Sequence, residues 1–195
     1  MHLNPVHIEK SKQKNKYNKY VEHLMIDDIM WMSNSDDEYD DIERALKYAK
    51  GNCYIGGMGL GTIVEECLKN QDISHIVAVE IDKRVIDVIT DRFNLYQVNE
   101  AHWTHKTLDV YLGDATKDFF DQKYDFMYWD IWLDLNKKAR VIMDQCFDAG
   151  KPFLKEGGVL EAWAMPTLMD QRFLDDPASW ALERIKYYDE TRKTT

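Results

Sequence analysis

Short apolar runs alternate with helical patterns through the middle of the chain. Runs typical of buried strands lie at 53–55, 75–80, 108–112, 124–129 and 159–164. Apolar residues recur at helical spacing in the segments 37–50, 62–70, 83–93, 116–120 and 136–149. Since strands that alternate with helices need crossover connections, the pattern predicts an α/β fold with a doubly wound, mostly parallel sheet and helices on both faces.

The two ends of the chain depart from this alternation. The first twenty residues carry five lysines, with Tyr17 and Tyr20 among them. Such a run is typical of a solvated helix face or a frayed end, and a basic arm that touches phosphate is the alternative. We expect a basic, helical N-terminal extension over 1–36 and a single α/β domain over 37–195, whose last apolar positions form a docked helix.

Composition narrows the classes of function. The chain has 195 residues, 45% of them hydrophobic, which suits one globular domain. Its net charge of −10 disfavours nucleic acid and suits a cationic or neutral partner, so we expect a small-molecule acceptor. The sequence leaves a homo-oligomer open.

Cysteine and histidine usage argues against a secreted scaffold and against a metal site. The three cysteines form no CxxC pair, and the six histidines form no HxH or HxxxH cluster. No apolar run approaches the roughly 20 residues that span a bilayer, and no apolar leader is visible at the N-terminus. We expect a cytoplasmic protein with no membrane anchor and no metal.

A glycine loop follows the first predicted strand of the sheet. Its glycines, Gly57, Gly59 and Gly61, have the spacing GxGxG, and a helix begins directly after them. Glycine permits a tight turn and close approach of a ligand to backbone N–H groups at a helix start. A dinucleotide fingerprint would need glycine at position 62, which is Thr, so the fit to an NAD or FAD site is incomplete. The loop indicates a nucleotide-type ligand, and a glycine-rich turn that binds no ligand is the alternative.

Two carboxylates follow neighbouring predicted strands. Glu80 ends the strand after the loop, at a distance along the chain where an acid can accept both hydroxyls of a ribose. Asp114 follows the strand 108–112. Because ligands of open α/β sheets bind outside the carboxyl ends of the strands, these features predict one site at that edge.

In order and spacing, the motifs from 51 to 164 resemble the class I S-adenosylmethionine-dependent methyltransferases, especially their spermidine-synthase-like branch. The resemblance implies a Rossmann-like methyltransferase fold that binds S-adenosylmethionine or its decarboxylated form. It implies that the loop, with Gly57, Met58, Gly59 and Gly61, wraps the methionine part and ribose of the ligand. It also implies that Glu80 and Ile81, in VEID, hold the ribose, and that Asp114 and Ala115, in GDA, frame the adenine.

The chain departs from this family at several positions. Ile55 stands where methyltransferases often carry an acid that meets the ligand's ammonium, and Gly59 stands where spermidine synthases carry Asp. Ser33, Asp36, Asp37 and Asp130 are the alternative candidates for binding that ammonium. The chain also lacks the DSxDP motif of spermidine synthases. We expect the N-terminal segment to be too short for their β-domain and part of the usual C-terminal strand hairpin to be missing.

Asp130 and Trp132 are the candidate catalytic residues. Transfer from a sulfonium is an in-line displacement, so the protein must align the nucleophile and hold it deprotonated. Asp130, at the end of the strand 124–129, is expected to orient an attacking amine or hydroxyl and to contact the ligand. Trp132, beyond that strand, is either a substrate contact or a packing residue, while Trp129 points to the opposite face and is expected in the core.

Three functions are consistent with these residues. The first, which we prefer because Gly59 and the missing DSxDP motif weigh against the second, is a methyltransferase that acts on a small molecule or another acceptor. The second is a spermidine-synthase-like aminopropyltransferase that uses decarboxylated S-adenosylmethionine and a polyamine. The third is a protein of this fold that binds a nucleoside or a partner without catalysis.

Overall fold

The computed structural model describes residues 6–99 and 107–176. The strands are β1 (His7–Lys14), β2 (Tyr20–Ile26), β3 (Ile29–Ser33), β4 (Gly51–Gly56), β5 (Ile73–Glu80), β6 (Thr107–Leu112), β7 (Tyr124–Trp129) and β8 (Leu154–Ala162). The helices are α1 (Asp36–Leu46), α2 (Thr62–Lys69), α3 (Lys83–Asn99), α4 (Lys137–Gly150), α5 (Met165–Met169) and α6 (Gln171–Asp175), with one 3₁₀ turn at Lys151–Phe153. The predicted alternation of strands and helices is confirmed.

A five-stranded parallel sheet forms the centre of the molecule. Its strand order is β6-β5-β4-β7-β8, which is the doubly wound arrangement that the alternation predicts. In register, Ile55 on β4 lies between Ala78 on β5 and Tyr128 on β7. The carboxyl ends of all five strands therefore meet at one edge of the sheet.

Side chains on the central strands alternate between two apolar layers. Cys53 and Ile55 belong to one buried cluster with residues of α1 and α2, whereas Tyr54 belongs to a second cluster with residues of α4. Trp129 is fully buried in the second cluster, which confirms that it is a core residue. Helices thus cover both faces of the sheet, because each face is apolar.

Two predicted helices differ from the structure. The segment 116–120 forms a turn, in which Lys117 N and Asp118 N donate to the Asp114 carbonyl, and it stops where Phe120 adopts a φ of +58°. A left-handed residue of this kind cannot continue a right-handed helix. The first helix ends at Leu46, four residues short of the predicted 50, and Gly51 already belongs to β4.

The prediction of a helical N-terminal extension is wrong. Residues 7–33 form an antiparallel sheet with the order β1-β2-β3, and β2 and β3 are joined at Asp27 and Asp28, which both have positive φ. Some of these lysines pair with this protein's own acids, since Lys16 contacts Asp40 and Lys19 lies 2.8 Å from Glu66. The alternation of buried and exposed positions on β2 has the period of a strand, which the lysine pattern concealed. The division into an extension and a domain at residue 36 stays a prediction.

Buried ion pairs join this small sheet to the larger one. Arg92 on α3 lies 2.8 Å from Glu22 on β2 and 3.2 Å from Glu65 on α2. Leu24 and Ile26 on β2 belong to the same buried cluster as the central strands. These contacts hold β2 and β3 over the carboxyl edge of the parallel sheet.

The predicted terminal helix, with Trp180, Leu182, Ile185 and Tyr188, lies outside the described residues, as does the predicted loss of part of a strand hairpin. Among the residues that are described, no helix is long and apolar enough to cross a membrane.

Candidate functional site

A cleft of about 1740 Å³ lies at the carboxyl edge of the parallel sheet. Its floor consists of the loops after β4, β5, β6 and β7, and residues of β2, β3 and α1 cover it from above. Of the predicted site residues, Gly57, Gly59, Glu80, Ile81, Asp114, Ala115, Asp130 and Trp132 all line it. The structure therefore brings together residues that are far apart in sequence.

The glycine loop is shaped by its protein neighbours. Gly57 has a φ of +86°, and a Cβ at this position would lie 2.1 Å from the Asp130 carbonyl oxygen. A Cβ at Gly59, whose φ is +50°, would lie 2.1 Å from Met32 Sδ, and this sulfur also accepts the Leu60 N–H at 3.0 Å. Both positions favour glycine because their φ is positive, and at Gly57 the backbone of Asp130 also leaves no room for a side chain.

The other two loop residues face away from the cleft. The Met58 side chain is buried in the core, and its backbone N–H points to Glu80. Gly61 is the N-cap of α2, and its N–H donates to the Met58 carbonyl at 2.7 Å. Neither residue is among those that line the cleft, so a contact of either with a ligand stays a prediction.

Glu80 is a buried carboxylate that the backbone holds in place. Its Oε2 accepts the Met58 N–H at 2.9 Å, and its Oε1 accepts the Asp82 N–H at 3.0 Å. Only 8% of the residue is exposed. Each oxygen keeps a further lone pair, so the carboxylate is set to accept hydrogen bonds from two hydroxyls.

The wall beyond Glu80 is made of the segment after β6. The Ala115 carbonyl accepts from both the Tyr54 hydroxyl and Trp129 Nε1, each at 3.0 Å, which fixes this segment against the core. Asp114 is bound by its neighbours, since Thr116 donates twice to Oδ1 and Lys117 Nζ lies 2.6 Å from Oδ2. These contacts lower the pKa of Asp114 to about 2. Ile81 exposes 76% of its surface at the mouth of the cleft.

Asp130 lies at the end of β7, where its backbone N–H donates to the Gly56 carbonyl at 2.8 Å. Desolvation, followed by the charges of Asp41 and Glu80, raises the pKa of its carboxyl to about 7. A carboxylate with such a pKa can take a proton near neutral pH. Trp132 is 8% exposed, belongs to the buried cluster beside α4, and leaves its Nε1–H without a partner in the described structure.

Helix α1 brings two further acids to the cleft that sequence reasoning missed. Glu38 is 7% exposed, and burial, then the charges of Asp130 and Asp41, raises its pKa well above the usual carboxyl range, while the Trp163 side chain acts in the opposite direction. Burial also raises the pKa of Asp41, although Arg44 counteracts it. The sequence does contain a signal for the burial of these acids: Glu38 and Asp41 share a helix face with the apolar Ile42 and Ala45.

The cleft as a whole is acidic. Ten carboxylates line it: Asp27, Asp36, Asp37, Glu38, Asp40, Asp41, Glu80, Asp82, Asp114 and Asp130. The cations among its lining residues are Lys16, Arg44 and Arg84, and each of these contacts an acid. Within the described ranges, no group of three or more His, Cys, Asp or Glu side chains is arranged to hold a metal ion. The surplus negative charge favours a cationic ligand.

Sequence comparison identifies relatives of known activity. A family model described as the spermine/spermidine synthase domain matches residues 46–176, more than half of the chain. Two polyamine aminopropyltransferases of Prochlorococcus marinus, from strains MIT 9301 and MIT 9312, are 33% and 30% identical over 165 residues. These alignments cover 76% of this chain and 58% of each relative. The chain thus spans somewhat more than half the length of these curated relatives.

Solved structures with a similar fold are methyltransferases. An S-adenosylmethionine-dependent methyltransferase from Clostridium acetobutylicum is 17% identical, with a TM-score of 0.45 over 64% of this chain and 47% of that protein. The N-methyltransferase NodS of Bradyrhizobium japonicum, in complex with S-adenosyl-L-homocysteine, is 14% identical, with a TM-score of 0.47 over 65% of this chain and 61% of that one. The strand order described above, rather than these matches, identifies the fold.

The sequence relatives overturn the main functional interpretation. Methyl transfer was preferred over aminopropyl transfer because Gly59 and the segment 130–134 depart from the spermidine synthase motifs. The family model and the curated relatives instead point to aminopropyl transfer. Two local motifs favour methyl transfer, whereas the acidic character of the chain, which the cleft concentrates, favours aminopropyl transfer.

Proposed function

Because the chain belongs to the spermine/spermidine synthase family, we propose that it is an aminopropyltransferase. Its donor is decarboxylated S-adenosylmethionine, and its acceptor is a primary amine of a polyamine. In the reaction, the amine nitrogen forms a bond to the donor's propyl carbon, the bond from that carbon to the sulfonium breaks, and a neutral thioether nucleoside leaves. One proton leaves the attacking nitrogen.

The donor's nucleoside fits the half of the cleft beside β5 and β6. Glu80 is held by two backbone N–H groups with a lone pair free on each oxygen, as binding of a ribose diol requires. Ala115 is fixed by two hydrogen bonds from the core, and Ile81 offers an exposed apolar surface, so both suit contact with a flat base. Binding here would leave the sulfonium beside the glycine loop.

The acceptor fits the half of the cleft beside β7 and α1. A polyamine carries protonated amines at neutral pH, and the attacking nitrogen must be deprotonated before it reacts. Asp130 lines the cleft at the end of β7, and its raised pKa of about 7 suits proton transfer from an amine. Trp132, next to it on the cleft wall, offers an aromatic surface to a cation or an alkyl chain.

The concentration of carboxylates in the cleft supports this proposal most strongly. Ten acids line a cavity that contains three cations, and those cations are already paired. A methyl acceptor of unspecified chemistry would not need this charge. A polycationic acceptor and a donor that carries both a sulfonium and an ammonium do need it.

Turnover with defined substrates tests the proposal. The protein is incubated with decarboxylated S-adenosylmethionine and putrescine, and the release of methylthioadenosine and the formation of spermidine are measured by mass spectrometry. We expect the two products in equal amounts, with no methylated product when S-adenosylmethionine replaces the donor. Methylation of the acceptor, or binding of both substrates with no transfer at all, would refute aminopropyl transfer.

A further inference from the structure

Two side chains from one turn of helix α1 bind to residues at the end of β8. Arg44 Nη1 lies 2.6 Å from Glu161 Oε2, and Arg44 Nε donates to Asp41 at 3.1 Å. The other oxygen of Asp41 accepts the Ala164 N–H at 3.0 Å. The side chains of Asp41 and Arg44 therefore stabilise the position of α1 against the end of β8.

Glu38 lies one turn before Asp41 on the same face of α1, and it interacts with the Trp163 side chain but has no cationic anchor of this kind. Within the described part of the chain, neither Glu38 nor Asp130 forms an ion pair. Glu38 is almost wholly buried, it lines the cleft, and the charges nearest to it are those of Asp130 and Asp41. A buried carboxylate that faces other carboxylates is unfavourable unless it binds a proton or a cation.

The glycine loop, which also borders the cleft, provides no acid for a cation. The glycine loop carries Ile55 and Gly59 where an acid would be expected from the family resemblance, and Met32 Sδ fills the space beside Gly59. Next to the acids, Trp132 leaves a buried Nε1–H without a partner in the described structure, as expected for a surface that a ligand completes.

The other residues that the sequence offers as ammonium ligands are less suited to bind a cation. Asp36 accepts the Lys16 N–H at 2.6 Å, and both Asp36 and Asp37 are exposed at the start of α1. Ser33 carries no charge. An exposed carboxylate binds an ammonium weakly, because water screens the interaction.

We propose that Glu38, together with Asp130, binds a primary ammonium group of a substrate in a subsite between α1 and the end of β7. The inference rests on the proposed function, in which both the donor and the acceptor carry such a group. In this role Glu38 is a positioning and specificity-determining residue. The proton that burial favours on Glu38 in the free protein would be displaced by the ligand's ammonium.

Calorimetric titration of the full chain with three probes tests this subsite. The probes are decarboxylated S-adenosylmethionine, methylthioadenosine, which lacks the aminopropyl ammonium, and putrescine. The variant is Glu38→Gln, and Glu43→Gln is its matched control, since Glu43 lies on the exposed side of the same helix and outside this cleft.

For Glu38→Gln we expect at least a tenfold loss of affinity for one ammonium-bearing probe and unchanged affinity for methylthioadenosine. Loss of donor affinity alone places the aminopropyl ammonium at Glu38, and loss of putrescine affinity alone places the acceptor there. The Glu43→Gln control should bind all three probes like the parent.

Other results overturn the inference in distinguishable ways. If Glu38→Gln binds every probe like the parent, or loses methylthioadenosine affinity in equal measure, Glu38 is not an ammonium ligand, while the proposed function stands. If the parent binds neither nucleoside probe, the proposed function fails, and the subsite fails with it. Thermal unfolding of Glu38→Gln checks folding, and we expect a melting temperature at least equal to that of the parent.

Discussion

The carboxylates in the two halves of the cleft have different surroundings. Beside β5 and β6, Glu80 accepts two backbone N–H groups, and Lys117 and then Thr116 hold the pKa of Asp114 well below its usual value. Beside β7 and α1, the pKa values of Asp130 and Glu38 are raised, because both are desolvated and lie near other acids. The surroundings thus favour the charged form of Asp114 in one half and the protonated forms of Asp130 and Glu38 in the other.

This difference separates two tasks. Carboxylates with satisfied hydrogen bonds form a rigid surface that can accept hydrogen bonds from a neutral nucleoside without changing their protonation. Carboxylates without cationic partners gain most from binding a cation, and they can exchange protons near neutral pH. We infer that the first half selects the donor and that the second half binds amines and handles the proton.

The largest expected effect comes from Asp130. Asp130→Asn keeps the shape of the side chain but removes its ability to accept a proton, so we expect kcat to fall by about 10²- to 10⁴-fold. The affinity for methylthioadenosine, which belongs to the other half, should change less than twofold. Steady-state turnover and calorimetry on the same protein measure the two quantities.

The pH profile of the parent sharpens this prediction. Because the pKa of Asp130 in the free protein is raised to about 7, kcat/KM should rise as the pH increases through this range, where the carboxyl loses its proton. The residual activity of Asp130→Asn should lack this rise. The role of Asp130 as a base would be refuted if the variant kept the parental rate and profile.

A somewhat smaller effect is expected from Glu80, in the donor half. Glu80→Gln removes charge-assisted hydrogen bonds worth roughly 1.5–3 kcal/mol, so methylthioadenosine affinity should fall by about 10- to 100-fold. Lys117→Ala is the control, since the side chain of Lys117 is exposed and water screens its pair with Asp114. Calorimetry measures the methylthioadenosine affinity of both variants. Equal losses of affinity in Glu80→Gln and Lys117→Ala would contradict a specific contact of Glu80 with the ligand.

The smallest effect concerns stability in the amine half. The pKa of Glu38 is raised above the ordinary value of 4.5, so the folded state binds more protons than the unfolded state above that pH, and folding stability falls as the pH rises. Glu38→Gln removes this penalty. Its melting temperature should therefore exceed that of the parent by a few degrees at pH 8 and by less at pH 5.

Glu43→Gln is the reference for this measurement, because its carboxylate is exposed. Scanning calorimetry of the three proteins from pH 5 to pH 9, without ligand, should show a widening gap for Glu38→Gln alone. A gap that stays constant with pH would mean that the carboxyl of Glu38 titrates normally.

The donor half was largely predictable from the sequence. A carboxylate at the end of a parallel strand must lie at the ligand edge, so Glu80 and Asp114 could be placed from the apolar runs that precede them. Gly57 and Gly59 were predicted correctly as turn residues, but for an incomplete reason. Their closest neighbours are Asp130 and Met32, and such contacts between distant segments have no local signal.

The amine half was not predictable to the same degree. Asp130 follows a strand and was found, whereas Glu38 lies in a run of acids that is typical of a solvated helix start. Its burial results from β2 and β3 covering the cleft, and these strands were interpreted as a helical extension. Lysines that appeared to mark a solvated surface instead pair with acids of α1 and α2, including Asp40 and Glu66.

Proton counting tests the division of the cleft most directly. The parent protein is titrated with methylthioadenosine and, separately, with putrescine, in two buffers of different ionisation enthalpy at pH 7. We expect no net proton change with methylthioadenosine and a clear release of protons from the protein with putrescine, since the amine displaces protons from Asp130 and Glu38. Equal proton release with both ligands, or none with putrescine, would contradict the account.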